Sequence, residues 1–396
     1  MKNIIIFTVL TILFIGCNKK YGTEEHQTIS KPNIDSIISL EALTYKHDVV
    51  LKQQLIILEQ TKNSLIGDVS QIELTDSAIY ILDSYTKNML VFDWNGNYLY
   101  SIGKKGNGPG EFLSISSFYI NPEKGTINLI DPLKMSIHKY TVKGQYISSI
   151  KFKNKLIPTI KRITMLDNET LFCVTSLNWL ENSGYFLLNE NDYSYKCNIY
   201  NYPHINSTQT AYFNSKQLFS VHNGNIHFVI PFSDTIYSYS NNLVKSDLLL
   251  EHGRKPFPIS KLEKYINNNS NNYVLAVIDI LQNSNYTTGF TNLFESERYL
   301  CVTYDDNKML SHAILLDKKD CKEYKIEDFY SPTPNFASLS CNYKNHFVRV
   351  WTQDEIASFK DCNNESIDIP SEWVKLIEQY NEEDGNPILI IYTLRN

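Results

Sequence analysis

The clearest pattern in the chain is a block of apolar and polar positions that occurs twice. Residues 80–102 read YILDSYTKNMLVFDWNGNYLYSI and residues 128–150 read NLIDPLKMSIHKYTVKGQYISSI. The offset is 48 throughout, without a gap. It places Asp83 on Asp131, Phe92 on Tyr140, Gly96 on Gly144, Tyr98 on Tyr146 and Ile102 on Ile150. Each block is an apolar strand ending in Asp, a polar turn, a strand ending in an aromatic, a glycine turn and a further strand. The glycine turn suits a hairpin position that needs positive φ.

A weaker copy covers 224–250, and fainter ones cover 170–200, 298–326 and 336–369. Strand-rich repeats of roughly 40–50 residues are the signature of propeller blades. A single blade cannot cover both faces of its own sheet, so several must stack. The copies fall near 68–103, 111–153, 158–202, 210–253, 285–326 and 331–369, which predicts an all-β, six-bladed β-propeller of four-stranded blades. A ring of this kind must dispose of its sheet edges. The apolar segments at 53–60 (QQLIILEQ) and 387–395 (PILIIYTLR) suit that task, and both are expected in the sixth blade.

Two helices are expected to interrupt the strands. In 371–384, Trp373, Leu376, Ile377 and Tyr380 share one helical face, with Ser371 placed as N-cap. The stretch 259–283 reads as a short helix, an Asn-rich break and a second apolar segment. It is expected to pack as a flap on one propeller face, or to act as a lid over the central cavity.

Composition supports this class. Of 396 residues, 42% are hydrophobic and 20% charged, a folded composition, and 27 tyrosines favour strands. The net charge of −6 and five scattered arginines argue against a nucleic-acid partner.

The N-terminus, MKNIIIFTVLTILFIGC, has a Lys2 n-region, an apolar run from Ile4 to Ile15, and Gly16-Cys17. The run is short for a membrane span and fits a signal peptide. Cys17 after a small residue resembles a bacterial lipobox. The expectation is a signal peptide over 1–16, lipidation at Cys17, a polar tether to residue 48 and the propeller over 49–396. The address that follows is the outer membrane, lipid-anchored and facing either the periplasm or the surface. Six further cysteines have no CxxC spacing, which gives a zinc site little support. Several lie in strand-like runs, as buried structural thiols do.

The stretch IGKKGNGPGEF (102–112) invites a phosphate-loop reading. Gly103 and Gly108 have the Walker spacing, but Pro109 replaces the lysine and lacks the N–H that a phosphate cradle uses. The segment that follows is strand-like. Gly103, Gly106, Gly108, Pro109 and Gly110 are therefore expected to form an inter-blade turn.

These blocks, with IGKKGNGPGEF and the C-terminal NPILIIYTLR, resemble the six-bladed β-propeller lipoproteins of gut anaerobic bacteria, relatives of NHL-type propellers. The resemblance covers about residues 49–394. It implies a fold and an envelope address, and no catalytic residues.

No HExxH pair, GxSxG elbow or Asp-box repeat occurs. Asp83 and Asp131 end equivalent strands, where acids cap turns more often than they catalyse. His222 and His227 flank a turn, an arrangement that gives little support to a shared metal. No catalytic residue, metal or cofactor is expected. The functional expectation is a non-catalytic binding or scaffold module for an envelope protein or glycan. The alternative is a glycan-directed hydrolase or lyase with its site at the channel mouth, assembled from one residue per blade.

Overall fold

The computed structural model describes residues 37–39, 49–175, 183–202, 216–222, 224–251, 255–258, 281–308, 310–320, 322–326, 336–361 and 385–395, with single residues between 261 and 380. Six sheets, each contributing four strands to a ring, form a six-bladed β-propeller. Blade 1 runs from Val69–Leu74 to Tyr98–Ser101. Blade 2 runs from Ser117–Asn121 to Tyr146–Lys151, and blade 3 from Ile160–Asp167 to Tyr195–Asn201. Blade 4 runs from Phe219–His222 to Leu243–Glu251, and blade 5 from Phe290–Glu295 to Lys322–Ile326. Within each blade neighbouring strands are antiparallel, as in Ile79↔Phe92 and Ile127↔Tyr140.

The second and third strands are largely buried on both faces because each side chain direction serves a different neighbour. In blade 3, Leu171, Cys173, Phe186 and Leu188 join a cluster with blade 2 residues such as Ile130 and Ile137. The alternate residues Phe172, Val174, Tyr185 and Leu187 join blade 4 residues such as Phe228 and Ile236. Blade 1 does the same, sending Tyr80 and Leu82 toward blade 2 and Ile79 and Ile81 toward blade 6. This is why its second strand, Ile79–Asp83, is a continuous apolar run ending in one acid.

Blade 6 closes the ring. Its strands are Leu339–Tyr343, His346–Trp351, Ile388–Leu394 and Val50–Ile57, in that order from the channel outward. The C-terminal strand lies between His346–Trp351 and Val50–Ile57, with Arg349↔Ile390 on one side and Leu55↔Ile390 on the other. Segments more than 300 residues apart thus share one sheet. Among the described residues of the expected blade at 331–369 lie two strands, and the helix Gln353–Asp361 follows them. Glu355 near its start accepts from Thr352 N at 2.9 Å, a capping geometry that the sequence reading did not anticipate.

Of the expected helix over 371–384, Val374, Lys375, Ile377 and Glu378 are helical, and Ile377 and Tyr380 are buried against blade 6. Most of 259–283 lies outside the described residues, as do Cys17, Cys321 and Cys362. Within the stretch 17–48, expected as a tether, the described residues Ile37–Ser39 form a short strand. It pairs in parallel with Leu249–Glu251 on the outer edge of blade 4, where an edge strand offers unpaired backbone groups. The four described cysteines among the six are free thiols. Cys173, Cys301 and Cys341 are buried, and burial pushes their thiols up.

Candidate binding site at the channel mouth

The first strand of each blade lines the central channel, and at one end five blades enclose a cavity of about 550 Å³. Blades 1, 4, 5 and 6 contribute the C-terminal ends of these strands and the turns that follow: Glu73, Ser220–His222, Glu295–Glu297 and Asn342–Asn345. Blade 3 contributes Arg162, Ile163 and Thr164. The lining is mostly polar, and Phe219, Val221 and Tyr343 add apolar surface. A cavity of this size, with a few fixed polar groups, is of small-ligand dimensions.

Below the mouth the channel is bridged by side chains. Arg162 Nη2 lies 3.1 Å from Glu73 Oε1, so blade 3 reaches past blade 2 to blade 1. The buried Gln71 donates to the same carboxylate at 3.1 Å and to Phe118 O at 2.8 Å. Its own oxygen accepts from Ser117 Oγ at 2.8 Å and Phe118 N at 3.1 Å. On the other side, Asn292 Oδ1 accepts from Gln217 N at 2.9 Å. Gln217 donates to Asn342 Oδ1 at 3.0 Å, and Lys216 Nζ donates to Ser340 Oγ at 3.4 Å. These bonds join blade 4 to blades 5 and 6. Burial pushes Lys216 down, and burial with the adjacent Arg162 pushes Lys161 down to about 8. The polar groups serve as a plug and give the cavity a rigid floor.

Glu295 stands in the wall of the cavity with its side chain 1% exposed. Oε2 lies 2.7 Å from His227 Nδ1, and Oε1 lies 2.7 Å from Lys318 Nζ. His227 Nε2 lies 3.0 Å from Asp247 Oδ2. Burial works against every charge in this chain. For Glu295 the pairing with His227 and Lys318 outweighs burial, and its carboxyl is held below the usual range. Burial also lowers His227, but Asp247 and Glu295 outweigh it and lift the imidazole to about 9. Both oxygens of Glu295 are occupied by cations, and one oxygen of Glu73 is shared by Arg162 and Gln71. The arrangement can present a shaped, charged wall to a ligand, while a proton transfer through Glu295 would first have to break an ion pair.

The glycine stretch lies elsewhere and lines no part of this cavity. It connects the outer strand of blade 1 to blade 2 and pairs Lys104–Lys105 in parallel with Glu111–Phe112. The Glu111 carboxylate accepts from Gly108 N at 2.8 Å and meets Lys104 Nζ at 3.0 Å. The loop's anion partner is thus its own glutamate. Gly103 and Gly110 sit at φ +65° and +70°. A side chain there would meet Tyr140 and Tyr146 respectively at under 3 Å.

Asp83 and Asp131 are fully buried and bind backbone. Asp83 accepts from the N–H groups of Gly67, Asp68 and Tyr85, and Asp131 from those of Leu113, Leu133 and Lys134. His222 lines the cavity, whereas His227 sits behind it in the ion-pair chain. The sequence reading singled out neither Arg162, Glu295 nor Asn342 as a site residue. They come from three different blades, and each is ordinary in its local context. The one available signal was position: all lie on first strands of repeat copies.

Among solved structures, the chain is similar to a crystal structure of a Bacteroides fragilis protein named as exported, with a TM-score of 0.72 and 21% identity. That match covers 91% of this chain and 100% of the other. A member of the DUF4221 family from Bacteroides vulgatus matches with a TM-score of 0.53 and 9% identity, covering 88% of this chain and 99% of the other. At these identities the likeness concerns the fold. No curated protein matches the sequence. The model of the family described as "Domain of unknown function (DUF4934)" matches residues 33–393, and the chain belongs to that family.

Proposed function

We propose that this chain is an exported, lipid-anchored envelope protein whose propeller is a non-catalytic binding module, with a glycan or a protein segment seated in the channel mouth. The observation that carries the binding reading is the state of the mouth's acids. Glu295 has both oxygens engaged and Glu73 is paired with Arg162, so these two walls of the cavity are preorganised for recognition, with Glu297 and His222 on the same lining. The mixed wall of amides, charges and the Phe219 and Tyr343 rings suits a polar ligand with some apolar faces. Support for export and anchoring comes from residues 1–17 and from the name of the Bacteroides fragilis relative. In this reading residues 1–16 are removed, Cys17 is acylated, 17–48 connects anchor to ring, and 49–396 forms the propeller. Among the described residues no helix is long and apolar enough to cross a membrane.

The test is a thermal-shift screen of residues 18–396, which retain every described strand, against glycans and peptides. A ligand of the native state raises the melting temperature by mass action. The expected result is a ligand that stabilises the native chain, is recovered unchanged after incubation, and loses its effect in Tyr343→Ala. Chemical conversion of that ligand, abolished in Glu295→Gln, would overturn the binding reading in favour of a hydrolase or lyase. For the anchor, Cys17→Ala is expected to move the protein from the membrane to the soluble fraction of cells.

A further inference from the structure

We infer that the end of the propeller opposite the channel mouth, at blades 1 and 2, docks on an anionic lipid surface. The chain is acidic overall at −6, yet residues 101–155 hold nine lysines against three acidic residues. Lys124 and Lys139 reach Glu190 of blade 3, and Lys143 lies in the turn before the outer strand of blade 2. The other six are Lys104, Lys105, Lys134, Lys151, Lys153 and Lys155. They belong to the turn between the second and third strands of blade 2, to the end of its outer strand, or to the crossovers on either side of the blade. Antiparallel strands put these features at one end of the blade, while the mouth residues follow first strands at the other.

Short contacts tie the group together. Lys104 Nζ is 3.0 Å from Glu111 Oε1, Lys134 Nζ donates to Glu111 O at 2.7 Å, and Lys151 Nζ donates to Lys134 O at 3.4 Å. Glu111 lies within this cluster together with the buried Asp131 that holds the Leu133–Lys134 turn. On the blade 1 side lie Asp83, which is buried, and Asp68, which is bonded to Ser84. Lys105, Lys153 and Lys155 are exposed.

Apolar side chains protrude among these lysines. Leu133, beside Lys134, is 68% exposed. Tyr85, its equivalent 48 residues earlier in blade 1, is 82% exposed. Isolated exposed apolar residues need no explanation, but these two occupy the same turn in adjacent blades and border one basic cluster. Lysines around protruding leucine and tyrosine match the chemistry of a bilayer interface. The ammonium groups meet headgroup phosphates, and the apolar tips enter the acyl boundary. A soluble polyanion would use the charges and leave the tips without a role. The sequence outside 101–155 is acidic, so an anionic surface attracts the blade 1 and 2 sector of this end over the rest of the molecule. The bound orientation directs the channel mouth away from the membrane, where a ligand can reach it.

Co-sedimentation of residues 18–396 with phosphatidylcholine vesicles, and with vesicles also containing phosphatidylglycerol, tests this. Binding is expected to the second kind alone and to weaken as salt is raised. Each lysine near the surface contributes about fivefold, so Lys105→Glu/Lys153→Glu/Lys155→Glu is expected to lower affinity by about a hundredfold or more. These side chains are exposed, and an unchanged melting temperature certifies the fold. Leu133→Ser is expected to weaken binding several-fold without changing its salt dependence. Tyr343→Ala in the mouth is expected to bind vesicles normally, which separates this inference from the ligand-binding proposal. Equal binding to both vesicles, none to either, or full binding by the triple variant would overturn it. So would retention on dextran sulfate without vesicle binding, which would assign the patch to an acidic polysaccharide.

Discussion

Asp83 and Asp131 illustrate how single residues serve the fold here. Each ends the second strand of its blade and gathers backbone N–H groups from its own turn and from the segment entering the blade. For Asp131, burial raises the carboxyl, but His138 and the backbone donors outweigh it and the net direction is down. Removing the buried carboxylate would take the acceptor from three backbone donors and from His138. Asp131→Ala is therefore expected to cost about 3 kcal/mol, read from the urea midpoint at constant slope. The His227 chain makes a second prediction at this scale. His227 holds its proton more tightly in the folded state, at about 9 against an ordinary 6.5. Its stabilisation is fully present below about pH 6.5 and is lost as pH rises through about 9. Glu295 and Asp247 are held low, so their contribution is present above the ordinary carboxylate range and is lost on acidification. Between about pH 6 and 9.5, the native chain is expected to lose about 2–3 kcal/mol more than His227→Gln does. Identical losses in the two would show that the ion-pair chain contributes nothing to stability.

At the scale of elements, the sixth blade is the exposed point of the design. Its C-terminal strand, Ile388–Leu394, is hydrogen-bonded on both sides, and six of its seven residues are buried. Asn386 adds a clasp: its side chain accepts from Ile66 N at 2.9 Å and donates to Glu59 O at 3.0 Å and Ser64 O at 2.8 Å. Deletion of residues 386–396 opens two sheet edges and uncovers the apolar clusters on both sides of blade 6. Such a chain is expected to show no cooperative thermal transition by near-ultraviolet circular dichroism. A native-like melt would mean that the ring does not depend on its closing strand. The repeat made blades 1 and 2 legible without coordinates, and the strand character of 53–60 and 387–395 indicated how the ring closes. The helix Gln353–Asp361 was not legible. It falls where a strand pair was due, and its polar face and Glu355 cap compete with an expectation set by the other blades.

At the scale of the molecule, every blade shares its core with two neighbours, and the last blade's sheet takes in the N-terminal strand Val50–Ile57. An open repeat array can lose units from its ends, but a closed ring has none to lose. The unfolding curves from tryptophan fluorescence, with Trp94 near blade 1 and Trp351 in blade 6, and from far-ultraviolet circular dichroism are expected to coincide. Separated midpoints would mean that blades unfold independently. The same closure assembles the channel mouth, which has no counterpart in any local stretch of sequence.

What the sequence determined by itself was the propeller: the period, the strand count per blade and the closing strands. These rest on local patterning, where the alternation of buried directions and the turn chemistry repeat every few dozen residues. The same holds for the lysine-rich second blade, visible as composition. Only the tertiary structure decided which side chains meet in the channel. Arg162 and Glu73 are about ninety residues apart, as are Lys216 and Ser340 by well over a hundred, and each pair is joined by the curvature of the ring. Spacing along a chain encodes contact within a strand or turn. Contact across a channel depends on the rotation accumulated from blade to blade, which no single stretch of residues records.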